Sequence, residues 1–267
     1  MSDIAPAVPS ATIMLLRDAI DGGVEVFMLQ RHSKADFGGA YVFPGGLAAS
    51  SDYAHELEPF CCGLDDAGAS RQLGLDTGGL ALWVAAIREC FEESGYLLAR
   101  DFQGAMCQPG EIRHLQRFAD YRRALAANEI ALRDVCEAES LTLVCDAIEY
   151  VSFWTTPEPL ARRYATRFFV AAVPEAQEGV ADGRETVASA WIHARDVLRD
   201  DERMRSMRLH PPTRAQLMWL AEFATVDEAM AAARAIDKAA ISEIVPVIGG
   251  DGQSRVVTLP DGREIKF

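Results

Sequence analysis

Three glutamates, Glu89, Glu92 and Glu93, sit in the stretch Arg88-Glu89-Cys90-Phe91-Glu92-Glu93-Ser94-Gly95. The run from Leu80 to Leu98 reads as a helix, because Leu82, Trp83, Ala86, Ile87, Cys90 and Phe91 recur at three- and four-residue spacing. Gly95 is placed to cap its C-terminus. Residues three and four apart share a helix face, so the three carboxylates project together, away from the apolar stripe. Crowded carboxylates repel one another, and Arg88 is the one basic residue close in sequence. A hard divalent cation, which prefers oxygen ligands, is the natural counter-charge. A solvated acidic helix face would show the same spacing.

The flanks separate the two readings. Arg88 to Tyr96 fits the second half of the Nudix box, G-x5-E-x7-R-E-U-x-E-E-x-G-U with U apolar, and Val42-Phe43-Pro44-Gly45-Gly46 resembles the Pro-Gly-Gly that opens it. The pattern places 13 residues between its Gly and its Arg, whereas Gly46 and Arg88 are separated by 41. Its middle Glu, eight before the Arg, falls on Leu80 and is missing. This departure resembles a Nudix subgroup with an insertion inside the box, the one containing peroxisomal coenzyme A diphosphatases of animals. A second block, Phe153-Trp154-Thr155-Thr156-Pro157 with Arg162-Arg163-Tyr164 and Phe168-Phe169, resembles the same subgroup.

The resemblance implies an α/β fold, a Nudix-type α/β/α sandwich with a mixed β-sheet, inserted helices and a C-terminal helical extension. It implies a site in which Mg²⁺ or Mn²⁺ is held by Glu89, Glu92, Glu93 and the Gly45 carbonyl, with Arg88 orienting the carboxylates. Glu185, in the polar loop ahead of Trp191, matches a family position that completes the metal site or acts as base; an ordinary loop acid would look the same. Arg31, at the end of its strand, could meet a substrate phosphate or lie on the surface. Arg162, Arg163 and Arg167 lie near the second block and are candidates for a coenzyme A 3′-phosphate. The implied substrate is a nucleoside diphosphate linked to another moiety: coenzyme A or a thioester of it, ADP-ribose, NADH or a dinucleoside polyphosphate. A Nudix-like nucleotide-binding module without hydrolysis is the rival, and the retained glutamates favour the enzyme.

The elements that must carry these residues follow from pattern. Residues 1–10, with Pro6 and Pro9, read as a disordered lead-in. Ala11–Arg17 and Val24–Arg31 flank Asp21-Gly22-Gly23 as a β-hairpin, and a short strand leads through Tyr41-Val42-Phe43 into the glycines. Residues 11–223 make the Nudix domain, with insertions at about 48–79 and 109–141. Residues 224–267 make a C-terminal helix and hairpin extension. Leu141–Trp154, Tyr164–Val173 and Ala188–Ile192 read as strands. Thr213 is placed to cap a helix carrying Leu217, Leu220 and Phe223, and a further helix is expected from Val226 to Ala240.

Composition narrows the partners. Of 267 residues, 40 are acidic and 26 basic, giving a net charge of −14. A surface so acidic repels nucleic acid and anionic membrane in the absence of a basic patch, and none is visible. No run approaches a membrane span. The six cysteines have no CxxC spacing and read as free thiols, the N-terminus lacks a signal-peptide layout, and the C-terminal Lys266-Phe267 is not a peroxisomal address. The cytoplasm is the expected compartment, and the terminal hairpin could pack on its own domain or pair two copies into a homodimer.

Overall fold

A computed structural model describes residues 5–33, 38–111, 114–158, 160–248, 255–259 and 262–266. The two longest apolar runs form the expected hairpin, β1 (Val8–Asp18) and β2 (Val24–Arg31), antiparallel with Leu16 opposite Val26. β3 (Tyr41–Val42) pairs with β2, and β4 (Gly45–Leu47) with β1. The stretch expected as the first insertion folds as two 3-10 turns, Ser50–Tyr53, which still belongs to the box, and His55–Phe60, followed by helix α1 (Asp66–Leu73). Helix α2 (Leu80–Ser94) carries the glutamates. β5 (Ala99–Arg100) pairs with β6 (Thr142–Leu143), bracketing the second insertion, helices α3 (Leu115–Ala126) and α4 (Leu132–Glu139).

β7 (Glu149–Thr155), β8 (Tyr164–Ala172) and β9 (Thr186–His193) complete the main sheet. Helices α5 (Ala194–Arg199), α6 (Asp201–Ser206), α7 (Pro211–Leu220) and α8 (Val226–Ala235) follow. β10 (Glu243–Ile244) joins the main sheet beside β7, and β11 (Val247–Ile248), β12 (Arg255–Thr258) and β13 (Glu264–Lys266) form a small antiparallel sheet. The main sheet runs β10-β7-β8-β1-β2-β3, with β4 on β1 and β9 on β2; β1 and β8 are parallel and β1 and β2 antiparallel, so the sheet is mixed.

The central strands are buried on both faces, which is why they read as continuous apolar runs without alternation. Successive side chains on a strand point to opposite faces. Ala11, Ile13 and Leu15 of β1, Phe27 and Leu29 of β2, and Phe169 and Ala171 of β8 join the core under α2. Met14, Leu16, Val26, Met28, Phe168 and Val170 join the core under α5, α7 and α8. The result is the expected α/β/α sandwich.

Several boundaries differ from the expectation. β1 begins at Val8, so Val8–Ser10, inside the stretch expected to be a disordered lead-in, are a strand paired to Tyr164–Thr166. Residues 1–4 lie outside the described ones. Helix α2 ends at Ser94, and Gly95 closes it with φ +81°, a left-handed conformation that glycine adopts without strain. His210, not Thr213, precedes the first turn of α7: Pro211 and Pro212 fill that turn, where a missing amide hydrogen costs nothing, and Thr213 is buried within it. Helix α8 stops at Ala235 rather than Ala240, and Lys238–Ala240 form a 3-10 turn. The turn expected at Gly249-Gly250-Asp251-Gly252 lies outside the described residues. No helix among the described residues is long and apolar enough to cross a membrane.

Candidate active site

Helix α2 is enclosed rather than half-solvated. Trp83 packs against Phe169 with ring centroids 4.7 Å apart and planes tilted by 60°, and donates its indole N–H to the Ile148 carbonyl at 3.2 Å. Phe91 meets Phe118 of α3 edge-on at 6.3 Å. The glutamates therefore do not project from an open face: Glu93 is 5% exposed, and Glu89 and Glu92 are half-buried. Arg88 lies among them, and all five of its N–H donors are used. Nε and Nη2 donate to Asp52 Oδ1 and Oδ2, each at 2.9 Å, and Nη2 also reaches the Leu47 carbonyl at 2.8 Å. Nη1 bridges Glu89 Oε1 and Glu92 Oε1, each at 2.9 Å. Such a fork of charge-assisted bonds fixes both carboxylates.

Asp52 is the residue that counting backwards from Arg88 missed. Counted forwards from Gly46, the acid of the box pattern falls on Asp52, with five residues between, so the acid is not lost at Leu80; the extra residues enter the box after it. Asp52 is 3% exposed, sits in the turn Ser50–Tyr53, and also accepts the Ala49 amide at 2.8 Å. The Gly45-Gly46 pair is required by close approach. A Cβ on Gly45 would lie 2.4 Å from the Ala11 carbonyl oxygen, and one on Gly46 would lie 2.5 Å from the Glu89 carboxylate. The Gly45 amide donates to Glu93 Oε2 at 3.0 Å, tying β4 to the end of α2.

These residues border a cleft of about 720 Å³. Arg88, Glu89, Glu92, Gly45, Gly46, Arg31 and Glu185 are among its lining residues. Trp154, Leu160, Tyr164, Thr166 and Phe168 line it as well, with His210 and the first turn of α7. Arg31 follows a bulge in the pairing of β2 with β9, the kind of irregularity that re-aims a side chain. Among the described residues its Nε is buried without a hydrogen-bond partner, and its charge favours ionised Glu93. The Glu185 loop is held by Asp182, which accepts the Glu185 and Thr186 amides at 3.0 and 2.9 Å.

Carboxylates outnumber cations here, and the protonation equilibria show the strain. Burial, opposed by Arg88 and reinforced by Glu92, pushes Glu89 up to about 7. Burial also raises Glu92, against the pull of Arg88, and raises Glu93 far above the usual carboxylate range, with the Glu89 charge adding to it. Burial would lower Arg88, but the Asp52 bonds and the charges of Glu89, Asp52 and Glu92 more than reverse it. Among the described residues no group of three or more acid, histidine or cysteine side chains is already arranged to hold a metal ion, and Arg88 Nη1 bridges Glu89 and Glu92. The donor chemistry nonetheless fits a hard cation: oxygen ligands in excess of positive charge, with both bonds to Arg88 running through Oε1 alone.

The three arginines of the second block are not in this cleft. Tyr164, Thr166 and Phe168 face it, so by strand alternation Arg163 and Arg167 face away. Arg167 is buried with its guanidinium 3.5 Å over the Phe153 ring. Arg163 donates to the Thr156 and Ala5 carbonyls, each at 3.0 Å. Arg162 is exposed in a bend before β8.

A layered α/β/α fold with an acid-bearing helix packed against a Gly-Gly strand defines a Nudix-class domain. A crystal structure of a NUDIX hydrolase from Alicyclobacillus acidocaldarius matches it with a TM-score of 0.69 at 28% identity, over 85% of this chain and 96% of that one. The family described as the NUDT19 Nudix domain matches residues 64–220, and the chain belongs to it. Acyl-coenzyme A diphosphatase NUDT19 of Xenopus laevis is 28% identical over 239 residues, covering 76% of this chain and 61% of that protein. The Gallus gallus protein of the same name is 28% identical over 240 residues, covering 76% and 63%. The chain thus spans about three fifths of the length of the curated relatives it matches.

Proposed function

We propose that this protein hydrolyses the diphosphate bond of a nucleoside diphosphate derivative, and that coenzyme A or an acyl thioester of it is the substrate. The observation that carries the reading is the Arg88 network: a saturated guanidinium that binds Asp52 and fixes Glu89 and Glu92 in a cleft also lined by Trp154, Leu160, Tyr164 and Phe168. The names of the two vertebrate relatives support the substrate class.

A diphosphate shields its phosphorus with negative oxygens, so catalysis is chiefly neutralisation and the positioning of water. Glu89, Glu92, Glu93 and the Gly45 carbonyl would hold Mg²⁺ or Mn²⁺. The ion supplies the positive charge that offsets the diphosphate oxygens. Arg31, whose Nε has no hydrogen-bond partner among the described residues, pairs with a phosphate oxygen. Glu185, at the cleft and close enough to Glu92 and Glu93 for its charge to raise both, accepts the proton of the attacking water. The water oxygen bonds to one phosphorus as that phosphorus's bond to the bridging oxygen breaks; the bridging oxygen departs on the other phosphorus, and the proton taken by Glu185 passes to solvent. Trp154, Leu160, Tyr164 and Phe168 bury the apolar part of the substrate.

The test is incubation with coenzyme A, ADP-ribose, NADH and diadenosine polyphosphates in Mg²⁺ or Mn²⁺, with products identified by mass. Coenzyme A is expected to give 3′,5′-ADP and 4′-phosphopantetheine. Faster turnover of ADP-ribose or NADH would refute the substrate, and binding without turnover of any diphosphate would refute the reaction.

A further inference from the structure

The second insertion meets the glutamate-bearing helix through Phe118 and Arg122 of α3. Phe118 of α3 packs on Phe91 of α2, and Arg122, one turn further along, therefore lies over the C-terminus of α2. A helix ends with carbonyls that have no partner inside it, and it carries partial negative charge there. Arg122 Nε donates to one of those carbonyls, that of Glu92, at 2.8 Å. Its Nη2 donates to the Val180 carbonyl, also at 2.8 Å.

Val180 begins a short path to Glu185. Its own amide donates to the Ser94 carbonyl at 2.8 Å, so the segment is tied to the end of α2 from both its N–H and its C=O. Two residues on, Asp182 accepts the amides of Glu185 and Thr186 and the Thr186 hydroxyl. The Glu185 carbonyl accepts the His32 amide at 2.8 Å, next to Arg31. One guanidinium therefore grips both the backbone of Glu92 and the root of the loop that carries Glu185.

We infer that Arg122 is a positioning residue, which sets the Glu185 loop against the backbone of Glu92 so that the two carboxylates meet at the cleft in one geometry. This rests on the hydrolytic reading of the site for its catalytic consequence, not for the brace itself. A lysine keeps the charge but has one nitrogen in place of the planar fork whose separate Nε and Nη2 reach the two carbonyls.

The test compares Arg122→Gln and Arg122→Lys with Arg117→Gln. Arg117 is on the same helix but its hydrogen bonds run to Glu139 of α4. Backbone amide exchange in residues 180–186 and steady-state hydrolysis are read on each. For Arg122→Gln, exchange in this segment should rise about tenfold or more. Its kcat should fall about tenfold to a hundredfold, as for a small misplacement of a catalytic group, while KM stays within about threefold. Arg122→Lys should recover part of both, and Arg117→Gln should change neither. Unchanged exchange in Arg122→Gln overturns the brace, whatever the activity. Raised exchange with unchanged kcat overturns the role in positioning, as does an equal loss of kcat in Arg117→Gln. If the wild type hydrolyses no diphosphate, the hydrolytic reading falls while the exchange experiment still decides the brace. If Arg122→Gln does not fold, Arg122→Lys carries the same two readouts.

Discussion

Removing the Asp52 carboxylate should unfold the box from within. Asp52 is 3% exposed and takes two of the five donors of Arg88, itself 6% exposed, with the Ala49 amide as a third partner. In Asp52→Ala the guanidinium stays buried, because Nη1 and Nη2 still bind Glu89, Glu92 and Leu47, but one edge loses its counter-charge. Breaking one side of a buried ion pair destabilises by about 3–5 kcal/mol. For a chain of this length that lowers the melting temperature by roughly 6–15 °C. The assay is thermal and urea unfolding of the metal-free protein. The double replacement Asp52→Leu with Arg88→Met removes both charges and should lose less than the sum of the single variants by about 1 kcal/mol or more, since contacting residues are not additive. It should nonetheless be inactive, as nothing then orients Glu89 and Glu92. A melting temperature for Asp52→Ala within about 2 °C of wild type would refute the assignment of Asp52 as the structural acid of the box.

Other outcomes follow from the same geometry. Glu92→Gln and Glu93→Gln should each lose turnover by about 10² or more, as for a major electrostatic group, measured as kcat at saturating substrate. Glu185→Gln should lower kcat far more than it raises KM; activity within about twofold would make it a loop acid only. With Arg163 and Arg167 turned away from the cleft, coenzyme A and dephospho-coenzyme A should differ by less than about tenfold in kcat/KM, the size of one charge-assisted contact. Because burial raises Glu89 from 4.5 to about 7, its folded-state ionisation opposes stability: without metal, stability should fall as pH rises through that interval. Mg²⁺ should recover it, so the rise in melting temperature on adding Mg²⁺ should be larger at pH 8 than at pH 6, where protons compete for the same carboxylate.

What was legible in the sequence followed from local pattern. β1 and β2 are apolar runs separated by Asp-Gly-Gly, and α2 has a helical period that ends on a glycine, so both strands and the C-terminal cap needed no tertiary information. The errors have physical causes. Asp52 was missed because its distance from Arg88 in sequence hides a contact of 2.9 Å, although its spacing from Gly46 was open to view. Arg163 and Arg167 were grouped with the site by nearness in sequence, against the period of two that turns them away from Tyr164, Thr166 and Phe168. Arg122 bonds to main-chain carbonyls, which leave no mark on residue identity, so no motif could have shown it. The enclosure of the glutamates was likewise hidden, since the helices that cover α2 lie in the two insertions, which have no part in the box pattern.

An insertion inside a catalytic box ought to disrupt it, and the structure shows why this one does not. Gly46 and Asp52 keep the spacing that lets the strand and the buried acid meet Arg88, so the added residues enter between two elements that are already placed. Helix α2 then restarts at Leu80 behind Gly79, which has no side chain to cap it. The insertion supplies the cap instead. Asp66, in the first turn of α1, accepts the Leu80 amide at 3.0 Å and the Gly78 amide at 2.9 Å, and Ser70 Oγ accepts the Gly79 amide at 2.9 Å. Burial works against ionised Asp66, yet those amides hold its carboxyl below the usual range, as expected for an anion at a helix N-terminus. At the other end Arg122 meets the Glu92 carbonyl. The helix that carries the glutamates is thus satisfied at its N-terminus by the first insertion and at its C-terminus by the second. Excising either would expose orphan amides or carbonyls of α2 before it touched any carboxylate.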